Sequence, residues 1–280
     1  MFNASILSSS LKEIVDVLKV KSDFDILVHG TPDGLRTRFI DVANVFMVDA
    51  NIPDTAFNKY PIDVELHMAI ELSRLSTFVD SVDEDGRNEE IIRLEYDEIN
   101  HTLCLTSRYM STVQKQVTPY QMRSSPKRLH LDWQGMASIS ADDFVRAVNA
   151  MYKMKAPEGL DGCDYVEMGV RPLHSTGKEG IFYMEAKFDK GKKDFDEFGF
   201  KKLCTDSEPI SISKEVKSMF SIDYLECMVH SLSTTGNIEI LLGTDIPVKF
   251  KFTLPKSGAI IEYTYACRDE TEEVEVDDEL

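Results

Sequence analysis

The feature that most constrains what this chain can fold into is a pattern that returns four times: a short strand-like run, a segment with apolar residues at helical spacing, then further strand-like runs. Phe2 to Leu7 alternates in polarity, Ser8-Ser9-Ser10 supplies candidate helix caps, and Leu11, Ile14, Val15 and Leu18 fall on one helix face. Runs from Phe24 to Val28, Leu35 to Asp41 and Val45 to Ile52 follow, with turn residues Thr31-Pro32-Asp33-Gly34 between the first two. The second copy reads as a strand from Ile62 to Met68 and a helix marked by Leu72, Leu75, Phe78, Val79 and Val82. A turn at Asp85-Gly86 and strands from Ile91 to Tyr96 and His101 to Ser107 complete it. The third has Met136 to Ser140, a helix led by Asp142-Asp143-Phe144 and continued by Val145, Val148 and Met151, then Tyr165 to Val170 and Ile181 to Phe188. The fourth is read as Ile210-Ser211-Ile212, a helix carrying Met219, Phe220, Tyr224, Leu225 and Met228, and strands Ile238 to Leu242, Pro247 to Leu254 and Ala259 to Tyr265.

Recurrence at a period of roughly 65 residues points to a repeated architecture. Two units per domain predict an α+β fold of two similar domains, each with its helices on one face of antiparallel sheets. The segment from Thr118 to Gly135 is rich in proline, serine and charge, so residues 118–135 read as a connector. It separates domains at 1–117 and 136–268. Residues 269–280, eight of the twelve acidic, are expected to form a disordered tail, because like charges repel and little can be buried.

The chain carries 49 Asp and Glu against 31 Lys and Arg, a net charge of −18. Taken alone this argues against nucleic acid, which is bound through clustered cations. A local basic surface is nevertheless compatible with an acidic whole. The opening MFNASILSSSLKEIV lacks a basic region followed by a long apolar one, so no signal peptide is expected, and no run is apolar enough to span a membrane. Five scattered cysteines without CxxC spacing suggest reduced thiols.

Catalytic signatures fail on inspection. Ser175-Thr176-Gly177-Lys178 imitates the end of a phosphate-binding loop, but Glu179 stands where a hydroxyl must meet magnesium. Asp83-Glu84-Asp85-Gly86 suggests a calcium loop, yet Ser81 and Ile92 occupy its first and twelfth ligand positions. The six histidines show no HxxxH spacing, so no zinc helix is expected, and no metal or cofactor is assigned. Asp142-Asp143 at a helix start is accounted for by the helix dipole.

Three further stretches carry a resemblance. GLRTRFIDVANVFMVD (Gly34–Asp49), MFSIDYL (Met219–Leu225) and TDIPVK (Thr244–Lys249) stand in register with the repeat and resemble segments of archaeal sliding clamps. The chain is similar, over about residues 1–268, to the proliferating cell nuclear antigen family. That resemblance implies a non-catalytic trimeric ring around duplex DNA, with helices lining the hole, built from identical subunits or from paralogues. It implies partners that include DNA polymerase, flap endonuclease, ligase and an ATP-driven clamp loader, and a cytoplasmic location if archaeal or a nuclear one if eukaryotic. A checkpoint-type heterotrimeric clamp subunit is the nearest alternative. An acidic metal-dependent nuclease is the alternative from a different class.

The resemblance also assigns residues. Lys12, Lys19, Arg74, Arg146, Lys153 and Lys217, with His230 as a seventh, are the helix cations expected to face DNA. Ile40, Asn44, Val45, Met47, Pro247, Tyr265, Ala266 and Cys267 are expected to form a pocket for client peptides bearing one aliphatic and two aromatic anchors, with Leu129 and Leu131 of the connector as lids. Ring closure would use an edge strand around Tyr109 to Val117 and another near Lys192 to Phe200.

Overall fold

The computed structural model describes residues 2–20, 25–62, 65–83, 90–119, 125–154, 163–172, 180–188, 199–204, 214–232 and 236–268. The first unit comprises β1 (Phe2–Leu7), α1 (Ser8–Leu18), β2 (Asp25–Thr31), β3 (Gly34–Ile40) and β4 (Phe46–Pro53). The second comprises β5 (Leu66–Glu71), α2 (Leu72–Asp83), β6 (Ile91–Asp97), β7 (Thr102–Thr106) and β8 (Ser111–Lys115). In the third are β9 (Gly135–Ser140), α3 (Ala141–Tyr152), β10 (Cys163–Pro172), β11 (Gly180–Phe188) and β12 (Gly199–Cys204). β13 (Val216–Ser221), α4 (Ile222–Leu232), β14 (Asn237–Leu242), β15 (Val248–Thr253) and β16 (Ile260–Tyr265) make the fourth. Every unit is therefore strand, helix, then a three-stranded meander.

The units interlock by exchanging first strands. β1 pairs with the second unit's meander, giving the sheet β1-β6-β7-β8, and β13 joins the third's, giving β12-β11-β10-β13. β5 and β9 close the ends of one eight-stranded sheet, β5-β2-β3-β4-β16-β15-β14-β9. Its middle is the antiparallel pair β4 and β16, in register from Phe46 opposite Tyr265 to Asn51 opposite Ile260. The helices pack as neighbours α1 with α2, α3 with α4, and α1 with α4, forming one layer.

Period-two alternation decides which residues this layer covers. Phe46, Val48, Ala50, Phe250, Ile261, Tyr263 and Tyr265 all point to the helix side and are buried. Tyr263 donates its hydroxyl to the Val17 carbonyl at the end of α1, 2.7 Å away, tying the two halves across the sheet. Tyr265 belongs to the same row. It donates to the Ser221 carbonyl at 2.9 Å and stacks on Tyr224, with centroids 5.4 Å apart. The expected surface position for Tyr265 is therefore corrected: its parity in β16 matches Tyr263, which places its ring in the core.

Other expectations shift for local reasons. α1 begins at Ser8 with Leu7 at the cap position and no side-chain cap; Ser8 N–H instead donates to Glu90 carbonyl at 2.7 Å, so the adjoining strand does the capping. β5 runs Leu66–Glu71 rather than Ile62–Met68, because it pairs with β2 from Leu66 to Glu71. Met219 and Phe220 lie in β13, not in a helix, since Val166 opposite Phe220 and Glu167 opposite Met219 continue the β10 ladder. An apolar run this short cannot be assigned by periodicity alone. Ile210–Ile212, the Asp85-Gly86 turn and residues 269–280 lie outside the described residues.

Removing the Tyr265 ring should cost about 3 to 5 kcal/mol in urea-unfolding free energy, as for other buried aromatics. Tyr265→Phe, which loses only one hydrogen bond, should cost about 1 kcal/mol. Equal, small losses for both variants would place the ring outside the core.

Candidate partner-binding face and helix layer

The face of the eight-stranded sheet turned away from the helices carries the other parity. Ile40 pairs with Met47, Met47 with Thr264, and Thr264 with Lys249, so these four form one row across β3, β4, β16 and β15. Met47, Thr264 and Lys249 are all buried, so this row is recessed; Ile40 is half-buried. The loop preceding β4 is held by Asp41, whose buried carboxylate accepts from the Val45 and Phe46 amides at 2.7 and 2.9 Å and from the Tyr224 hydroxyl at 3.1 Å. That shape puts Asn44 in the left-handed region, φ 58°, with its side chain exposed. Ala266 N–H donates to the Val45 carbonyl at 2.9 Å, so the chain leaving β16 runs beside this loop. Val45 and Cys267 are partly buried against the core.

The connector crosses this face, fixed at two points. Arg128 donates to both Glu262 oxygens at 3.1 and 3.2 Å, and Trp133 Nε1–H donates to the Pro247 carbonyl at 3.3 Å. Lys249, largely buried, donates to Glu262 at 2.7 Å and lies 4.8 Å from the Trp133 ring centroid. Leu129, exposed, and Leu131, half-buried, lie between the two anchors. The expected pocket residues Ile40, Val45, Met47, Pro247, Ala266 and the connector leucines thus converge on one side of the sheet, whereas Tyr265 does not. Sequence reading missed Thr264, Lys249, Glu262, Arg128 and Trp133. Counting parity back from Tyr263 would have found the first three.

The helix layer carries more acidic than basic side chains. α1–α4 contain Lys12, Arg74 and Arg146 against Glu13, Asp16, Asp80, Asp83, Asp142, Asp143, Asp223 and Glu226, with Lys19 and Lys153 at helix ends. Lys12 bridges α1 and α2 through Asp80 at 2.7 Å and Asp16 at 3.2 Å; Lys19 donates to Ser76 at 3.4 Å. Arg74 pairs with Glu71 at 2.8 Å, Arg146 with Asp143 at 2.6 Å, and His230 with Glu226 at 3.1 Å. Lys153 is exposed at the end of α3. Lys217 is a correction: it lies in β13, paired with Glu167 at 3.0 Å, and is not on a helix. Glu13 is also turned inward, accepting from Lys256 N–H and Ser257 Oγ–H at 3.2 and 3.3 Å. Exposed pairs of this kind are weak and screened by salt, so a polyanion can displace the partners.

The chain is similar to known proteins in sequence and in fold. The family model for the proliferating cell nuclear antigen N-terminal domain matches residues 1–129. The DNA polymerase sliding clamp of Halobacterium salinarum is 28% identical over 268 residues, spanning 96% of this chain and 98% of that one. The corresponding clamp of Methanothrix thermoacetophila is 29% identical over 273 residues, spanning 97% and 100%. The solved structure of the C-terminal region of FEN-1 bound to A. fulgidus PCNA superposes with a TM-score of 0.81 at 25% identity, covering 97% of this chain and 100% of that one.

The connector anchor should titrate. Burial pushes the Glu262 carboxyl up, but Lys249 and Arg128 outweigh it and hold the group below its ordinary range. Its charge therefore stabilises the docked connector above about pH 4.5, and that contribution is lost as pH falls through the lowered value. Trp133 is the only tryptophan, so its emission reports on the connector. Emission in the parent should shift to the red on acidification, whereas Glu262→Gln should start red-shifted at pH 7 and change little. Identical titrations in both proteins would contradict the anchor.

Proposed function

We propose that this chain is a member of the proliferating cell nuclear antigen family of DNA polymerase sliding clamps and acts without catalysis as one subunit of a trimeric ring. The observation that carries the ring is the fate of the third meander strands. In the first and fourth units these strands, β4 and β16, pair with each other within the chain. In the second and third they are β8 and β12, and each is, among the described residues, the end strand of its own four-stranded sheet, with one side unpaired. By the repeat, β8 of one copy should pair with β12 of the next as β4 pairs with β16. The β8 edge carries an apolar patch suited to burial: Val113 is 70% exposed and Tyr109 57%, with Met110 and Val117 also exposed. Open edges of this kind invite pairing with another chain. The second edge is thus taken as Gly199–Cys204; residues 189–198 lie outside those described.

Domains at 1–117 and 136–268, joined by the connector 118–135, would each supply two helices to the inner wall. Lys12, Lys19, Arg74, Arg146, Lys153 and His230 would make transient phosphate contacts without reading bases, their acidic neighbours keeping affinity low. Enclosure rather than attraction holds such a ring on DNA, which leaves it free to slide. The recessed row beneath the connector is where short peptides of DNA polymerase, flap endonuclease, ligase and the clamp loader would dock. Met47 and Thr264 form its floor; Ile40, Val45, Pro247, Ala266 and Cys267 form its rim; Leu129 and Leu131 are its lids. FEN-1 occupies an archaeal relative in the solved complex, which supports a peptide-binding role. An archaeal-type clamp of this kind would work in the cytoplasm.

Two measurements test this. Light scattering on the purified chain should give about three times 31.8 kDa. Alternate residues of an edge strand point their amides outward, so proline at Thr112 or at Val113 should yield monomers in at least one case. Trimers in both variants would exclude β8 as the joining edge. For the pocket, calorimetry with a QxxLxxFF-type peptide should show binding that Ile40→Ala or Leu129→Ala weakens about tenfold. Met47→Ala should weaken it too, but with a loss of thermal stability, because the side chain is only 6% exposed. Unchanged affinity in all three would remove the pocket from this face.

A further inference from the structure

Three donor side chains at the far end of the eight-stranded sheet belong to neither proposed surface. His29 of β2 and His67 of β5 are directly opposed across an antiparallel ladder. Residues so opposed hold their Cβ atoms about 5 Å apart, a spacing from which two imidazoles can reach one ion. Their rings stack, with centroids 4.6 Å apart and an interplanar angle of 12°. Both lie on the face away from the helices, His67 exposed and His29 partly so. His29 Nε2 is enclosed and makes no hydrogen bond, which is a cost for a polar atom. The nearest acceptor, Glu65 Oε2, approaches to 3.4 Å, and Glu65 is itself largely exposed. Two ligands bonded to one zinc ion at its usual bond lengths and tetrahedral angle are about 3.4 Å apart. His29 and Glu65 already stand at that spacing.

We propose that His29, His67 and Glu65 form a binding site for a divalent transition-metal ion of the zinc class, with water completing the coordination. Among the described residues no group of three such donors is placed, as the side chains stand, to hold a metal ion. Parallel stacking is the reason: each imidazole lone pair lies in its ring plane, so stacked rings cannot aim at a shared ion. Turning the His67 side chain, which faces solvent, supplies the missing donor without moving the backbone. An ion there would also give His29 Nε2 the partner it lacks. Beside the site opens a cleft of about 500 Å³ lined by His67, His101, Tyr96 and Glu98 among others. It gives an ion a route in, with Glu65 and Glu98 in its lining. Neutral imidazole and carboxylate suit zinc, copper or cobalt rather than calcium or magnesium. The sequence hides this site because the histidines are 38 residues apart and meet only through strand register.

The test is titration of the full chain with ZnCl₂ by calorimetry and with CoCl₂ by visible absorption, at pH 7.5. One equivalent should bind in the micromolar range, with the absorption of a cobalt site of low coordination number. His29→Ala and His67→Ala should each weaken that equivalent at least about tenfold, and Glu65→Gln by less. Zinc should also raise the thermal midpoint of the parent and leave that of His67→Ala unmoved. His67→Gln, which keeps a polar surface side chain, separates loss of a ligand from loss of folding. Binding to His67→Ala and His67→Gln equal to the parent's, or no binding at about 100 μM zinc, would overturn the proposal. Neither readout depends on ring formation or DNA.

Discussion

The pairing of β4 with β16 is the constraint on which the rest of this molecule depends. Six residue pairs from Phe46–Tyr265 to Asn51–Ile260 merge the two halves into one continuous sheet. Because strand side chains alternate, that single register sets both faces at once. It packs Phe46 against Tyr263 and Tyr265 beneath the helices with the rings tilted, and it lines up Met47 with Thr264 on the opposite side. A slip of one residue would exchange core for groove. The tyrosine hydroxyls then fasten the helix layer to the sheet, Tyr263 to the end of α1 and Tyr265 to the start of α4. The inner wall and the outer groove are thus two consequences of one ladder.

Charge is distributed to suit that division of faces. The chain is strongly acidic, −18 overall, and even in the helix layer Lys12, Arg74 and Arg146 are paired with nearby carboxylates. A surface of that kind does not hold DNA by attraction alone. It suits a protein that stays on DNA by surrounding it and must move along it freely. On the outer face the same chemistry works differently. Lys249 and Glu262 are largely withdrawn from water, with Arg128 closing the set, so their pairing is less screened than that of surface ions. That trio holds the connector over the recessed row at a defined place, while Leu129 stays exposed.

Much of the fold was legible in the sequence because helices announce themselves by period. The apolar stripes of α1, α2 and α3 were read at the residues that the structure buries, among them Ile14, Val79 and Val148. Strands were harder. Within β13, Met219 and Phe220 read as the start of a helix because they are adjacent apolar residues with no visible alternation. β12 carries Lys201 and Lys202 at an edge, where nothing in the pattern marks pairing. Family resemblance points to Ile40, Met47 and Pro247 for the outer face but does not fix parity, and Tyr265 lies on the other side, in the core. Lys217 failed for the same boundary error that misread β13. The connector's anchors were invisible, since Arg128 and Glu262 are 134 residues apart and meet only in three dimensions.

Enclosure of DNA is the central claim, and topology tests it more directly than affinity does. The chain, loaded by its cognate loader onto a nicked circular duplex, should co-elute with the circle through gel filtration in salt. It should be released when a single restriction cut opens the circle, because a ring slides off an end. Retention on linear DNA equal to that on the circle would mean that contacts rather than closure hold it, and would contradict the ring.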